Sequence, residues 1–475
     1  MRWILSTVVI LVVALAVVLP APAAETTAEG PAIDLDALEV LDLESAQRVA
    51  LAENPSLAAA EARVRQAQDR VRQAQSTYWP RLDASLSASR VELSNRDAGE
   101  LLQSARFFDP RASIADPEDN YTADLTASWT VFDGFARKFS NLAARYGESQ
   151  SQAAQRDVRR LLLSAVATAF YTAQLAREDY NIAKADEAFN QRQLEDAEAR
   201  ERAGTGSLSD ALNFKVRVNS ARADLIRTRR TYESTLVALA ALMGLPDATL
   251  PSQLAPAPLQ RETPKDLAPP DPTPQVAYAH AHRPDILQLE AALNQGGAEV
   301  EVAKAGYFPT VSLAASVDGQ RPNSARLDGD DFGNSIGLYL SYNLFEGGLT
   351  RARVSEARHR LDEIDSSLMD LKISVTSEVR RAISVLVSSQ EQLVLQRANV
   401  VLNQQNRDLV EKEYGAGQTS LVRLNEAQRD LTAAQGRLAL ALASMRNAWY
   451  SLETATAQNL EPFEASSAEA STDLP

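Results

Sequence analysis

Three histidines, His280, His282 and His359, and no cysteine make up the stock of imidazole and thiol ligands in these 475 residues. Thiol nucleophiles, disulfides, thiolate metal sites and a lipid anchor on cysteine are therefore excluded. His280 and His282 flank Ala281 ahead of Arg-Pro-Asp, with no further ligand cluster nearby, so they read as the surface of a helix start. GTGSLS at 204–209 has the small residues of a phosphate-cradling loop. It lacks the third glycine and follows a helix rather than a strand, which removes the reason for a phosphate to bind. No G-x-S-x-G occurs, and the acids are spread along helices as on solvated faces. Enzyme activity is not expected, nor a metal or other cofactor.

Polar residues do gather around two glycine turns, RAGTGSLSDALN at 202–213 and YGAGQTSLVRLN at 414–425. Glycine there ends one helix. Ser207 or Ser209, and Thr419 or Ser420, can cap the next. Arg423 and Glu426, three apart at the start of the final helix, share a face and can pair. The chemistry available is the making and breaking of hydrogen bonds and charge contacts.

The elements that hold these turns follow from a duplication. STYWPRLDASL at 76–86 returns as AGYFPTVSLAA at 305–315, and ENPSLAAAEA at 53–62 as HRPDILQLEA at 282–291. VFDGFAR at 131–137 returns as LFEGGLTR at 344–351, and GTGSLSDALN at 204–213 echoes GQTSLVRLNEA at 417–427. Four landmarks in the same order mark two repeats, 25–245 and 276–456. A proline-rich linker, 246–275, joins them. Arg2 before the apolar run Ile4–Leu19, then small residues at Ala21 and Ala23, predict a signal peptide over 1–24. The tail, 457–475, is expected to be disordered.

Each repeat reads helix, strand, loop, strand, long helix, turn, helix. Strands are expected at about 81–93, 121–132, 309–318 and 335–345. In the second, odd positions from Tyr121 to Val131 are apolar and even positions from Thr122 to Thr130 polar, the period of a ribbon with one greasy and one wet face. Polar loops span 94–120 and 319–334. Long helices are expected over 135–202 and 350–414, each roughly 100 Å at 1.5 Å per residue. Shorter ones lie near 43–77, 208–243, 276–306 and 420–456. Leu421, Leu424, Leu431, Leu438, Leu442, Met445, Trp449 and Leu452 keep a 3,4 rhythm, the mark of helices packed as coiled coils. Two short helices end to end match one long one, so the linker falls at mid-height.

Twelve residues of strand run roughly 40 Å, and tilted they cover about the thickness of a hydrocarbon core. Tyr78, Trp79, Trp129, Phe132, Tyr307, Phe308 and Phe345 sit where strands meet helices, as in an interfacial girdle. Open edges cannot stand in lipid and four strands cannot close, so the barrel must be shared among chains. A dimer would give eight strands and a filled interior; a trimer would give twelve and a lumen. The net charge of −15 argues against nucleic acid as a partner.

This ordered set of duplicated motifs resembles the TolC-type outer membrane efflux proteins over about 43–456. The fold class is then mainly α with a small membrane β part: a shared 12-stranded trimeric barrel continued by a long α-helical barrel. The resemblance implies a homotrimer in outer membrane lipid with its helices in the periplasm. It implies a passive export duct of a tripartite efflux pump or type I secretion system. Its partners would be a periplasmic adaptor and, through it, an inner-membrane RND, MFS or ABC transporter. Carried over by motif, Gly204, Leu208, Gly417 and Leu421 form the adaptor-binding tip. Asp210 and Tyr414 are a hydrogen-bonded pair that closes the gate, with Ser209 beside them. Thr419 stands where the family pattern has a lock-forming arginine. Arg423 replaces the first of two pinch-point aspartates, and Glu426 matches the second. A non-conducting trimeric coiled-coil surface protein is the alternative, but it would not need alternating strands with aromatic borders.

Overall fold

The computed structural model describes Leu35, residues 38–113 and residues 117–464. The expected signal peptide lies outside the described residues. In chain order the elements are β1 Val40–Leu41, α1 Leu43–Glu53, α2 Pro55–Ser76, β2 Arg81–Val91, α3 Asn95–Phe108 and β3 Glu118–Phe132. α4 Ala136–Arg202, α5 Leu208–Leu242 and β4 Ala255–Pro256 complete the first half. The second half holds α6 Pro272–His282, α7 Pro284–Lys304, β5 Thr310–Pro322, β6 Phe332–Ser341, α8 Leu349–Gly415 and α9 Leu421–Thr456.

Four strands form one antiparallel sheet in the order β2-β3-β5-β6. The helices follow the same order. Toward the sheet the neighbours run α2, α4, α7, α8; toward the glycine turns they run α5, α4, α9, α8. One chain is therefore a strip of wall. β2, α2 and α5 lie along one margin, and β6 and α8 along the other. A short parallel pair, β1 with β4, ties the linker at mid-height, where Leu41, Val166, Phe170, Leu239 and Met243 make an apolar core. A second core gathers Ile286, Val375, Val379, Leu386 and Leu452.

Several expectations need correction. The helix expected near 43–77 is two helices, because Pro55 has no N–H to donate and pushes Asn54 into the extended region. Arg283 and Pro284 break the helix expected near 276–306 in the same way. The polar loop 94–120 contains α3, which starts where Ser94 caps the amide of Asp97 at 3.2 Å. β5 runs on to Pro322, and β6 ends at Ser341, so Phe345 lies beyond the strand. Residues 457–464, expected to be disordered, are structured, and the rest of the expected tail lies outside the described residues. Ala457 turns through a left-handed conformation (φ 67°), and Asn459 and Leu460 are buried behind it. Asn459 donates to the carbonyl of Arg160 at 3.0 Å.

Candidate functional site

The sheet register sorts its side chains onto two faces. Ala84, Leu125 and Val317 lie opposite one another across three strands, as do Leu82, Ala127 and Ala315. Leu313 faces Leu338, Val311 faces Leu340, and Ala315 faces Ile336. The other face is hydroxylic and acidic. Ser85 donates to Asp124 at 3.1 Å, Ser87 and Thr122 share a hydrogen bond of 2.8 Å, and so do Ser316 and Ser335 at 2.9 Å. Asp124 and Asp318 stand directly opposite in register. Like charges so placed destabilise a ladder and give this face a negative field.

The apolar face has defined ends. At the helix end Trp129 donates its indole N–H to the Tyr78 carbonyl at 2.9 Å. At the other end Arg90 and Asp119 form a forked pair at 2.7 and 2.8 Å, and Arg321 pairs with Asp328 at 2.7 Å. From Asp119 to Trp129 the strand covers roughly 33 Å, or about 24 Å after a 45° tilt. That is the height of a membrane-facing band. Trp79, Tyr307, Phe308 and Phe345 are exposed at the helix end, whereas Phe132 is half-buried with its ring edge-on to Phe135. No helix among the described residues is long and apolar enough to cross a membrane.

The far ends of α4 and α8 are built alike. Gly204 and Gly417 have φ of 73° and 72°, a region that side chains enter at a cost of about 1 kcal/mol or more. Behind each turn a late amide returns to the helix: Thr205 to Arg200 at 2.9 Å, and Gln418 to Glu413 at 2.8 Å. Ser207 caps α5 through the amide of Ser209 at 3.1 Å, and Ser420 caps α9 through that of Arg423 at 3.4 Å. Ser209 and Thr419 do not act as caps.

Tyr414 meets different neighbours from those expected. No hydrogen bond joins it to Asp210 among the described residues. Its ring lies edge-on to Phe214, centroids 6.5 Å apart, and the Arg200 guanidinium is 5.6 Å from its centre. Partial burial raises the Tyr414 pKa, the Asp210 charge raises it further, and Arg200 opposes both. Arg423 and Glu426 do not pair; Glu426 lies 3.9 Å from Arg429. Leu208 is exposed, and Leu421 packs beside Phe214, Val410 and Leu424.

Sequence reasoning missed the polar staples between the two hairpins. Asn425 donates to Asn213 at 3.1 Å, Gln193 to Glu411 at 3.0 Å, and Asp186 accepts from Gln428 at 2.7 Å and Thr432 at 3.1 Å. Asn213 and Asn425 close the matched segments DALN and VRLN, and that signal was available in the sequence. Two of the three histidines are structural: His280 meets the Lys372 carbonyl and Thr376 Oγ1 at 3.2 and 3.0 Å, and His282 stacks on Tyr278, whereas His359 is exposed on α8.

Comparison with known proteins places this architecture. The family described as "Outer membrane efflux protein" matches residues 47–245 and 276–458, which are the two repeats without the linker. The pyoverdine export outer membrane protein OpmQ of Pseudomonas aeruginosa is 29% identical over 401 residues, covering 83% of this chain and 80% of the relative. The protein CyaE of Bordetella pertussis is 27% identical over 430 residues, covering 90% and 85%. Among solved structures, the outer membrane protein VceC from Vibrio cholerae superposes with a TM-score of 0.71 at 21% identity, covering 87% of this chain and 95% of that one. OpmQ is by name an outer membrane export protein, VceC an outer membrane protein, and the family one of outer membrane efflux proteins. Because the match runs through both repeats and the fold agrees over nearly the whole length, the chain belongs to the outer membrane efflux protein family and is an outer membrane channel component with its helices in the periplasm.

Proposed function

We propose that three copies close head to tail into a 12-stranded barrel continued by a helical tube, and that this trimer is a passive duct gated at its glycine-turned tip. The observation that carries the reading is the open wall. β2 and β6 are unpaired edges of a sheet with an apolar face, and lipid does not tolerate free strand edges. The β6–α8 margin of one copy and the β2–α2–α5 margin of the next are different surfaces, so the contact is heterologous and closes into a ring. Native mass measurement of the detergent-extracted protein is expected to give three chains. A folded single chain would overturn the reading.

The tip, with Gly204, Leu208, Gly417 and Leu421, is where a periplasmic adaptor would dock, itself bound to an inner-membrane RND, MFS or ABC transporter. Both turns are surface-exposed, and Leu208 stands out from its helix. Asp210, Ser209, Tyr414, Thr419, Arg423 and Glu426 would line the gate. Within one chain the closed state rests on the Tyr414 ring rather than its hydroxyl. The aromatic pair and the cation–π contact together contribute about 1–2.5 kcal/mol per protomer. Tyr414→Ala is expected to raise conductance in planar bilayers severalfold, while Tyr414→Phe stays near wild type. A Tyr414→Phe channel as open as Tyr414→Ala would return the hold to the hydroxyl and Asp210. In the same bilayers, Arg423→Asp should move the reversal potential toward cations and Glu426→Gln away from them. No shift from either would remove these side chains from the mouth.

A further inference from the structure

Where the second repeat's strands meet its helices there is an open cavity of about 620 Å³, lined in part by Lys304, Tyr307, Phe308, Arg351 and Arg358. Lys304 pairs with Glu301 at 2.6 Å. Arg351 and Arg358 are exposed and have no ion pair or hydrogen bond among the described residues. They are seven residues apart on α8, two turns, and so lie on one face.

The duplication makes the arrangement a repeated one. α4 starts at Ala136 and α8 at Leu349. Arg351 and Arg358 are therefore the third and tenth residues of α8, and the third and tenth residues of α4 are Lys138 and Arg145. Both of these are exposed, and neither has a carboxylate partner among the described residues. The residue between turn and cation is treated differently. In the first repeat Arg137 is saturated by Asp133 at 2.9 Å and by the carbonyls of Thr77 and Val131. In the second, Thr350 takes that place and donates to Glu346 at 2.7 Å. The third and tenth positions keep their cations without a carboxylate partner among the described residues in both, although Lys138 lies 5.5 Å from the centre of the Phe139 ring.

Their height in the molecule names the ligand. Tyr307 and Phe308 directly precede β5, at the helix end of the apolar band. Immediately beyond them Val311 faces Leu340 and Leu313 faces Leu338. An amphiphile with its anionic part among these guanidinium and ammonium groups would pass Tyr307 and Phe308 to lay its apolar part toward that face of the sheet. Basic residues at this level attract anionic lipid headgroups, and aromatic rings settle at the same boundary.

We propose that Arg351, Arg358 and Lys304, flanked by Tyr307 and Phe308, hold the phosphate of an anionic phospholipid from the periplasmic leaflet of the outer membrane. Lys138 and Arg145 repeat the contact in the first repeat. The inference rests on the membrane placement of the sheet and is independent of the gate.

Protein purified in neutral detergent and stripped of lipid is titrated with phosphatidylglycerol, phosphatidylcholine or inorganic phosphate and read by native mass spectrometry. Phosphatidylglycerol is expected to be retained roughly tenfold better than phosphatidylcholine, and Arg351→Gln with Arg358→Gln to remove that preference, since each basic group contributes severalfold. Arg351→Lys with Arg358→Lys should largely keep it. Equal retention of the two lipids, or a preference unchanged in the glutamine variant, overturns the proposal. Inorganic phosphate that displaces the lipid at equal concentration would make this a free-anion site instead. A glutamine variant that falls apart would show that the arginines meet carboxylates of a second copy. The assembly mass in the same spectra reports separately on the trimer.

Discussion

Leu402→Glu is expected to break the assembly. Leu395, Leu402 and Leu409 are 65%, 62% and 58% exposed in one chain and sit seven residues apart along the free margin of α8. α5, on the opposite margin, presents Leu212, Val216 and Ile226 at 55%, 65% and 65%. Heptad-spaced leucines on a long helix in water are a coiled-coil seam without its partner. In a closed ring each seam would bury Leu402 for about 1.5–3 kcal/mol. Glutamate there forfeits that and adds the desolvation of an unpaired carboxylate. The loss recurs at three seams, so native mass should shift from three chains to one, with loss of channel activity. Leu402→Met keeps the volume and should cost less than about 1.5 kcal/mol. An intact, conducting Leu402→Glu trimer would show that this row is not the seam.

Arg283→Ala should be the most damaging single change within a protomer. Arg283 is 4% exposed at the break between α6 and α7. Its guanidinium forks onto Asp285 at 3.0 and 2.7 Å, reaches Glu378 at 2.6 Å, and donates to the Ala455 carbonyl at 3.0 Å. Arg160, equally buried, donates to the Thr454 carbonyl at 2.9 Å. Two arginines thus satisfy the last carbonyls of α9, where the helix dipole is negative. Removing Arg283 leaves the part-buried Asp285 without its ion-pair partner and with only the Ile286 amide at 3.0 Å, a loss of up to about 3 kcal/mol, read as a lowered thermal midpoint in far-ultraviolet circular dichroism.

The pH dependence carries a definite sign. Burial favours the neutral Asp285, but the hydrogen bonds and charge of Arg283, with Arg160 behind, prevail and hold its pKa below the ordinary carboxylate value. A depressed folded pKa gives stability that is full above the unfolded value, near about 4, and is lost as pH falls through the folded one. The gap between wild type and Arg283→Ala should therefore narrow in acid. A gap independent of pH would mean that the arginine acts through packing alone.

Local rules explain what was legible. Alternation from Tyr121 to Val131 reports a two-faced strand because its period depends on the backbone alone. The glycines at 204 and 417 report helix ends for the same reason, and the duplicated motifs require no contact to be seen. The breaks at Pro55 and Pro284 were also local, but the unbroken helical pattern on either side masked them. α3 was missed because its start rests on one serine cap in a stretch rich in turn residues.

The chain by itself determined two repeats, strands with one apolar face and long helices turned by glycine, because each is a matter of period, spacing or residue type. Only the tertiary structure decided which side chains meet. Tyr414 stands on Phe214 and under Arg200 rather than bonded to Asp210, since residues from three helices converge there. Nothing in the sequence around Arg283 marks it as buried; it is buried because the end of α9, 172 residues later, offers it a bare carbonyl. Such pairings depend on how the helices lie against one another, and no periodicity along the chain encodes that.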